Sequence, residues 1–174
     1  MTKMKDQTDL ENQKKLLVES YGLFMEKQEK LAPIAARIFA TLLINKENGS
    51  TFEELVNFLG ASKSTVSTNL KTLQKTEIIT YHTKPGDRKK YFTLNPVGFL
   101  ARINESIKMY RIEQKLLIQV REYKQLANQT SKDKNYTIDH DMPYLDFLTN
   151  TINLLEQLHK DIEAKCSIFD HLSK

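Results

Sequence analysis

The sequence predicts a mainly α protein: a winged helix-turn-helix domain with a two-stranded β wing, plus long helices forming a dimerisation region. Three observations predict it. Residues 51–94 read as a short helix, a Gly turn, a second helix and two β-type runs around Pro85-Gly86. The positive charge of the chain is concentrated in that stretch. Two long amphipathic segments follow, the last with regular heptad spacing. The expected organisation is an N-terminal helix over 1–30, the winged domain over 31–95 and a helical dimerisation region over 96–174.

Composition bounds the class. A chain of 174 residues can bury a real core, and 28% charged residues with only five Gly and four Pro suit an ordered, helix-rich protein. The longest apolar run is far short of the roughly 18–20 residues that span a bilayer, so no membrane partner is expected. The opening MTKMKDQTDL is polar and unlike a secretory signal. Cys166 is the single cysteine, which excludes an internal disulfide framework and fits a reducing, cytoplasmic setting.

Net charge is +4, but residues 60–95 hold seven basic and two acidic side chains, a net of +5. Residues 1–59 net −1 and residues 96–174 net zero. Positive charge gathered on one segment is what a surface that meets phosphates requires, whereas a merely solvated face would spread it.

Taken in order, residues 10–30 form a helix with Leu10, Leu17, Tyr21, Phe24 and Met25 near one face, to pack on its own subunit or on a partner. Pro33 suits the first turn of the next helix, residues 34–44, which is apolar on most sides and should be the most buried. Residues 45–50 read as a polar loop. Thr51 and Glu54 match a capping box for a short helix from Phe52, and Gly60 stands where a left-handed C-cap is needed. Ser62 caps the following helix, Lys63 to about Thr76. There Val66, Leu70 and Leu73 form a narrow inward stripe. Ser64, Thr68, Lys71 and Lys75 lie opposite, with Ser67 on the flank and no acid among them. Small hydroxyls let a helix approach base edges and phosphates closely, and Lys supplies charge to the backbone. Residues 78–83 and 89–94 are β-rich runs flanking a turn, and its tip carries Lys84, Arg88, Lys89 and Lys90. Asp87 either orients Arg88 through a charged hydrogen bond or simply forms the turn.

The run Gly60-Ala-Ser-Lys-Ser-Thr-Val-Ser-Thr-Asn-Leu-Lys-Thr-Leu, with Pro85-Gly-Asp-Arg-Lys-Lys-Tyr-Phe downstream, resembles the MarR-like winged-helix transcription regulators. It is most similar to the GbsR branch, which includes repressors of glycine betaine uptake and synthesis. The likeness covers roughly Tyr21 to Gly98. It implies a DNA-binding dimer whose recognition helix enters the major groove while the wing touches the adjacent minor groove. Ser64 stands where the family commonly has Gly, and Thr76-Glu77-Ile78 replaces a common aromatic-Gly-Leu turn.

Asn95-Pro96 opens a helix that runs to about Asn128, with Leu100, Ile103, Ile107, Tyr110, Leu117 and Val120 at three- and four-residue steps interrupted by Gln114. Residues 129–142 read as a polar linker. The last helix carries Leu148, Ile152, Leu155, His159, Ile162, Cys166 and Phe169 at alternating four- and three-residue steps, a heptad seam. That seam packs either on its own chain or across a dimer. Leu100, Ile103, Ile107, Leu148, Ile152, Leu155, Ile162 and Phe169 are the expected dimer interface.

Other chemistry is sparse. There is no Gly-rich phosphate loop, no His-Glu-x-x-His and no Cys pair at zinc spacing, so neither metal nor cofactor is expected. His159 and Cys166 stand two turns apart in the seam, where polar residues more often set register than bind metal. Asp139-His140-Asp141 reads as a solvated turn. No nucleophile and base can be paired, so an enzyme is not expected. The function expected is a homodimeric, sequence-specific DNA-binding regulator, with repression the favoured sign. Its contacts to double-stranded DNA would come from Ser62, Lys63, Ser64, Thr65, Ser67, Thr68, Lys71, Lys75, Lys84, Arg88, Lys89 and Lys90. A small-molecule effector of unspecified identity, bound between helical frame and winged domain, would favour a dimer spacing that no longer fits DNA. The alternative is a winged-helix protein-interaction adaptor without specific DNA binding.

Overall fold

The computed structural model describes the backbone of residues 2–45, 49–130, 135–138 and 142–172, and side chains over 8–45, 49–130, 135–138 and 143–165. The chain divides into two units, Met1–Gly98 and Phe99–Lys174. The first contains α1 (Thr2–Gln28), α2 (Pro33–Ile44), β1 (Ser50–Thr51), α3 (Phe52–Leu59), α4 (Lys63–Lys75), β2 (Ile79–His82) and β3 (Tyr91–Leu94). Helix α5 (Pro96–Thr130) opens at its end, and α6 (Met142–Leu172) belongs to the second unit. Among the described residues no helix is long and apolar enough to cross a membrane.

Helix α2 is the hub of the first unit because it is apolar on most sides, as expected. Ala35, Ala36, Ile38, Ala40, Thr41 and Leu42 are all buried. Ile38 and Leu42 pack with Leu55 of α3, with Val66, Leu70 and Leu73 of α4, and with Ile79 and Phe92 of the sheet. The inward stripe read from α4 thus meets α2 directly. The capping box forms: the Thr51 hydroxyl accepts from the Glu54 amide at 3.3 Å, and Glu54 Oε2 accepts from the Thr51 amide at 2.7 Å.

The expected two-stranded wing forms from β2 and β3, and a third strand, β1, joins the sheet. Its order is β1-β3-β2, all antiparallel. The added strand lies at the end of the segment expected to be a polar loop. Ser50 pairs with Phe92 and Thr51 with Tyr91. Two residues carry no readable alternation, so only pairing with β3 reveals this strand.

The packed face of α1 agrees with expectation at Met25 and differs at the other positions. Val18 and Met25 are buried and Gly22 lies between them, whereas Leu10, Leu17, Tyr21 and Phe24 stay exposed. Arg37 of α2 sets this rotation. Its guanidinium pairs with both Glu19 and Glu26 of α1 and donates to the Pro33 carbonyl at 2.8 Å. The Arg37 hydrogen bond holds the Glu19 carboxyl below the usual range, and both acids push the Arg37 pKa upward.

In the second unit α5 and α6 run antiparallel, since their contacts ascend one helix as they descend the other. Asn104 meets His159 at 2.9 Å, Arg111 pairs with Glu156, and Gln114 donates to Thr149 at 2.7 Å. Between these polar rims Ile103, Ile107 and Ile152 form a buried cluster, with Tyr110, Leu155 and Ile162 packed against it.

Candidate nucleic-acid interface

Helix α4 starts at Ser62, whose hydroxyl accepts from the Thr65 amide at 3.1 Å. That hydroxyl also shares hydrogen bonds with Ser64 Oγ at 2.9 Å and Thr65 Oγ1 at 2.8 Å. The first turn therefore holds its small hydroxyls in one preordered cluster. Burial of Val66, Leu70 and Leu73 fixes the roll of the helix, so the opposite side must face outward. Lys63, Ser64, Thr65, Thr68, Lys71 and Lys75 are exposed together, and Ser67 is half-buried on their flank. Among the described residues no carboxylate lies within ion-pair reach of Lys63, Lys71 or Lys75.

The wing tip is built around Asp87. The Asp87 amide donates to the Lys84 carbonyl at 3.0 Å, closing a turn with Pro85 and Gly86 in the middle. Gly86 has φ +77, the left-handed value that a type II turn demands at this position. The Asp87 carboxylate then accepts from the Lys89 amide at 2.9 Å and from the Tyr91 hydroxyl at 2.8 Å. It makes no bond to Arg88, so of the two sequence readings the turn-forming one describes it. These two hydrogen bonds, the Lys89 amide first, hold the Asp87 carboxyl below its ordinary value. The same partner pushes the Tyr91 phenol upward.

Two of the wing's lysines rest on aromatic rings. Lys84 Nζ sits 3.9 Å from the Tyr91 ring centroid, and Lys90 Nζ 4.1 Å from that of Tyr81. His82 stacks on the other strand's Tyr91 at 5.6 Å. All four cations of the tip, Lys84, Arg88, Lys89 and Lys90, are exposed. Sequence reasoning missed the roles of Tyr81 and Tyr91. Their signal was the recurrence of Lys and Tyr on both arms of the hairpin, legible only once the strands are in register.

The residues expected at a dimer interface divide differently. Ile103, Ile107, Leu148 and Ile152 are buried in the single chain, Leu100, Leu155 and Ile162 are half-buried, and the side chains of Phe169 and Cys166 lie outside the described residues. Asp139-His140-Asp141 also lies outside them. Exposed apolar side chains occupy another face of α5: Met109, Ile112, Leu116, Val120 and Tyr123 recur every three or four residues. On α6, Tyr144, Phe147, Leu154 and Leu158 are exposed as well.

A helix-turn-helix of α3 and α4 packed on α2, followed by the β2–β3 wing, defines a winged helix-turn-helix fold. No family model matches the chain. It is similar to the HTH-type transcriptional regulator MmpR5 of Mycobacterium tuberculosis, with 34% identity over 91 residues, 52% of this chain and 54% of that protein. The chain thus spans about half the length of the curated relative it matches. Among solved structures, one titled as a transcriptional regulator aligns at TM-score 0.47 and 23% identity over 91% of this chain and 99% of that one. A MepR–DNA complex of S. aureus aligns at TM-score 0.39 and 18% identity over 74% and 94% of the respective chains. The comparisons single out no GbsR branch.

Proposed function

We propose that this protein is a sequence-specific DNA-binding transcriptional regulator that acts as a homodimer and represses its target. The observation that carries this reading is the exposed, acid-free face of α4 beside a wing on which Lys84 and Lys90 rest against aromatic rings. A helix rolled so that Ser64, Thr68, Lys71 and Lys75 face outward suits the major groove. Arg88, projecting from a rigid tip, suits the minor groove or its phosphates. The similarity to an HTH-type transcriptional regulator supports the same reading. Each subunit would present α4 to one half-site, and a repressor so placed would occlude its promoter. A small-molecule effector would release DNA by favouring a dimer spacing that misfits the two half-sites.

Promoter-fragment binding measured against salt tests it. Affinity should fall roughly a hundredfold or more between about 50 and about 200 mM salt, since each neutralised phosphate adds to the slope. Arg88→Ala and Lys71→Ala should each weaken binding without unfolding the chain. A flat salt response would overturn the reading in favour of a protein-interaction adaptor.

A further inference from the structure

We propose that the C-terminal unit carries an oxyanion-binding site near the end of α5, suited to a small carboxylate or a phosphate. The inference does not rest on DNA binding. Arg121, Gln125 and Asn128 recur at four- and three-residue steps and share one face of α5. Asn128 fastens residues 135–138 back across that face. Its side-chain amide donates to the Tyr136 carbonyl at 2.8 Å, and its Oδ1 accepts from the Tyr136 amide at 2.7 Å. The Tyr136 ring meets Tyr123 at 6.3 Å, which secures the same segment from the other side. The result is a cleft of about 520 Å³ with Arg121 and Gln125 on one wall and Asn135 and Thr137 on the other.

The chemistry of that cleft is unbalanced. Arg121 Nε is buried and has no hydrogen-bond partner among the described residues. A buried guanidinium N–H without an acceptor is costly, because its hydration is lost and nothing replaces it. Among the described residues no carboxylate lines the cleft. Its remaining polar groups are amides and hydroxyls, which can donate to an anion without competing for the cation. A guanidinium offers parallel N–H donors whose spacing matches a carboxylate or a phosphate. The occupant this arrangement fits is therefore a small oxyanion, seated on Arg121 and steadied by the Gln125 and Asn135 amides.

The test is a titration of the ¹⁵N-labelled full chain, followed by NMR at constant ionic strength, with inorganic phosphate, acetate and succinate as probes against chloride. Saturable shifts are expected at the Arg121 Nε–Hε signal and the side-chain amides of Gln125 and Asn135. Saturation by phosphate alone names phosphate as the source, and saturation by the carboxylates alone names a carboxylate; both support the site. Arg121→Gln should weaken binding at least about tenfold, as expected for a lost charge-assisted hydrogen bond. Arg121→Lys keeps the charge but not the paired donors and should weaken it less, and this variant carries the test if Arg121→Gln loses helicity. Shifts that stay linear for every probe, or that persist unchanged in both variants, would overturn the proposal.

Discussion

Glu77 and Asp87 carry the residue-scale argument for how the recognition unit holds its shape. Glu77 has φ +56, the left-handed region that side chains with a Cβ occupy at a cost of about 1–2 kcal/mol. The turn persists because the Ile78 amide donates to the Leu73 carbonyl at 3.0 Å and the Ile78 carbonyl accepts from Asn95 at 2.9 Å. Gly98 lies against the Glu77 carbonyl so closely that a Cβ there would collide with it. Glu77→Gly relieves the strain but adds freedom to the unfolded chain, so a net gain of about 0.5–1 kcal/mol is expected in thermal denaturation. A loss of stability would show that Glu77 contributes more than its backbone. For Asp87 the folded pKa is depressed, so its contribution is present above the unfolded aspartate value of about 3.9 and is lost as pH falls through the folded value. The wing tip should therefore be unchanged around neutrality and loosen only in acid. Carboxyl titration by NMR should give Asp87 a midpoint below that of ordinary aspartate, and Tyr91→Phe should move it back upward.

At the scale of elements, α4 is positioned by burial and not by its own propensity. Its sequence is rich in Ser and Thr, which favour helix interiors weakly. Thr72 and Thr76 hydroxyls bond back to the Thr68 and Thr72 carbonyls at 3.1 Å, an arrangement that helps the helix little. Leu73, fully buried between α2 and the sheet, supplies what propensity does not. Leu73→Ala should cost about 2–5 kcal/mol in denaturant unfolding, because a cavity opens where the helix meets the core. Lys71→Ala on the outer face should change stability by less than about 0.5 kcal/mol. If the two variants were equally destabilised, the roll assigned to α4 would be wrong.

At the scale of the molecule, the apolar faces left over by folding matter most. Helices α5 and α6 spend one face on each other and keep a second exposed, with Leu116 55% and Leu154 69% accessible in the single chain. Exposed stripes of that length are expected to be covered by a partner. In the homodimer we propose, Leu116→Glu should yield a monomer in sedimentation with its helicity intact. Ile152→Glu is the contrast. That side chain is only 6% accessible, in the α5–α6 layer, so a buried unpaired charge should unfold the unit. A Leu116→Glu protein that stayed dimeric would move the interface elsewhere.

Much of this was legible in the residues alone. The capping box at Thr51, the stripe of Val66, Leu70 and Leu73, the turn at Pro85-Gly86 and the charge gathered over 60–95 are local signals, and local backbone chemistry makes them readable. The lysine-bearing face of α4 followed from the same periodicity. Tertiary structure alone decided which apolar faces meet. It rolled α1 onto Val18 and Met25 through the Arg37 ion pairs, paired Ser50 and Thr51 with β3, and turned the heptad seam of α6 toward α5 of the same chain. It also directed Asp87 to Tyr91 and placed Arg121 in the lining of a cleft. Periodicity shows that a face is apolar, but only contacts between distant residues determine what covers it.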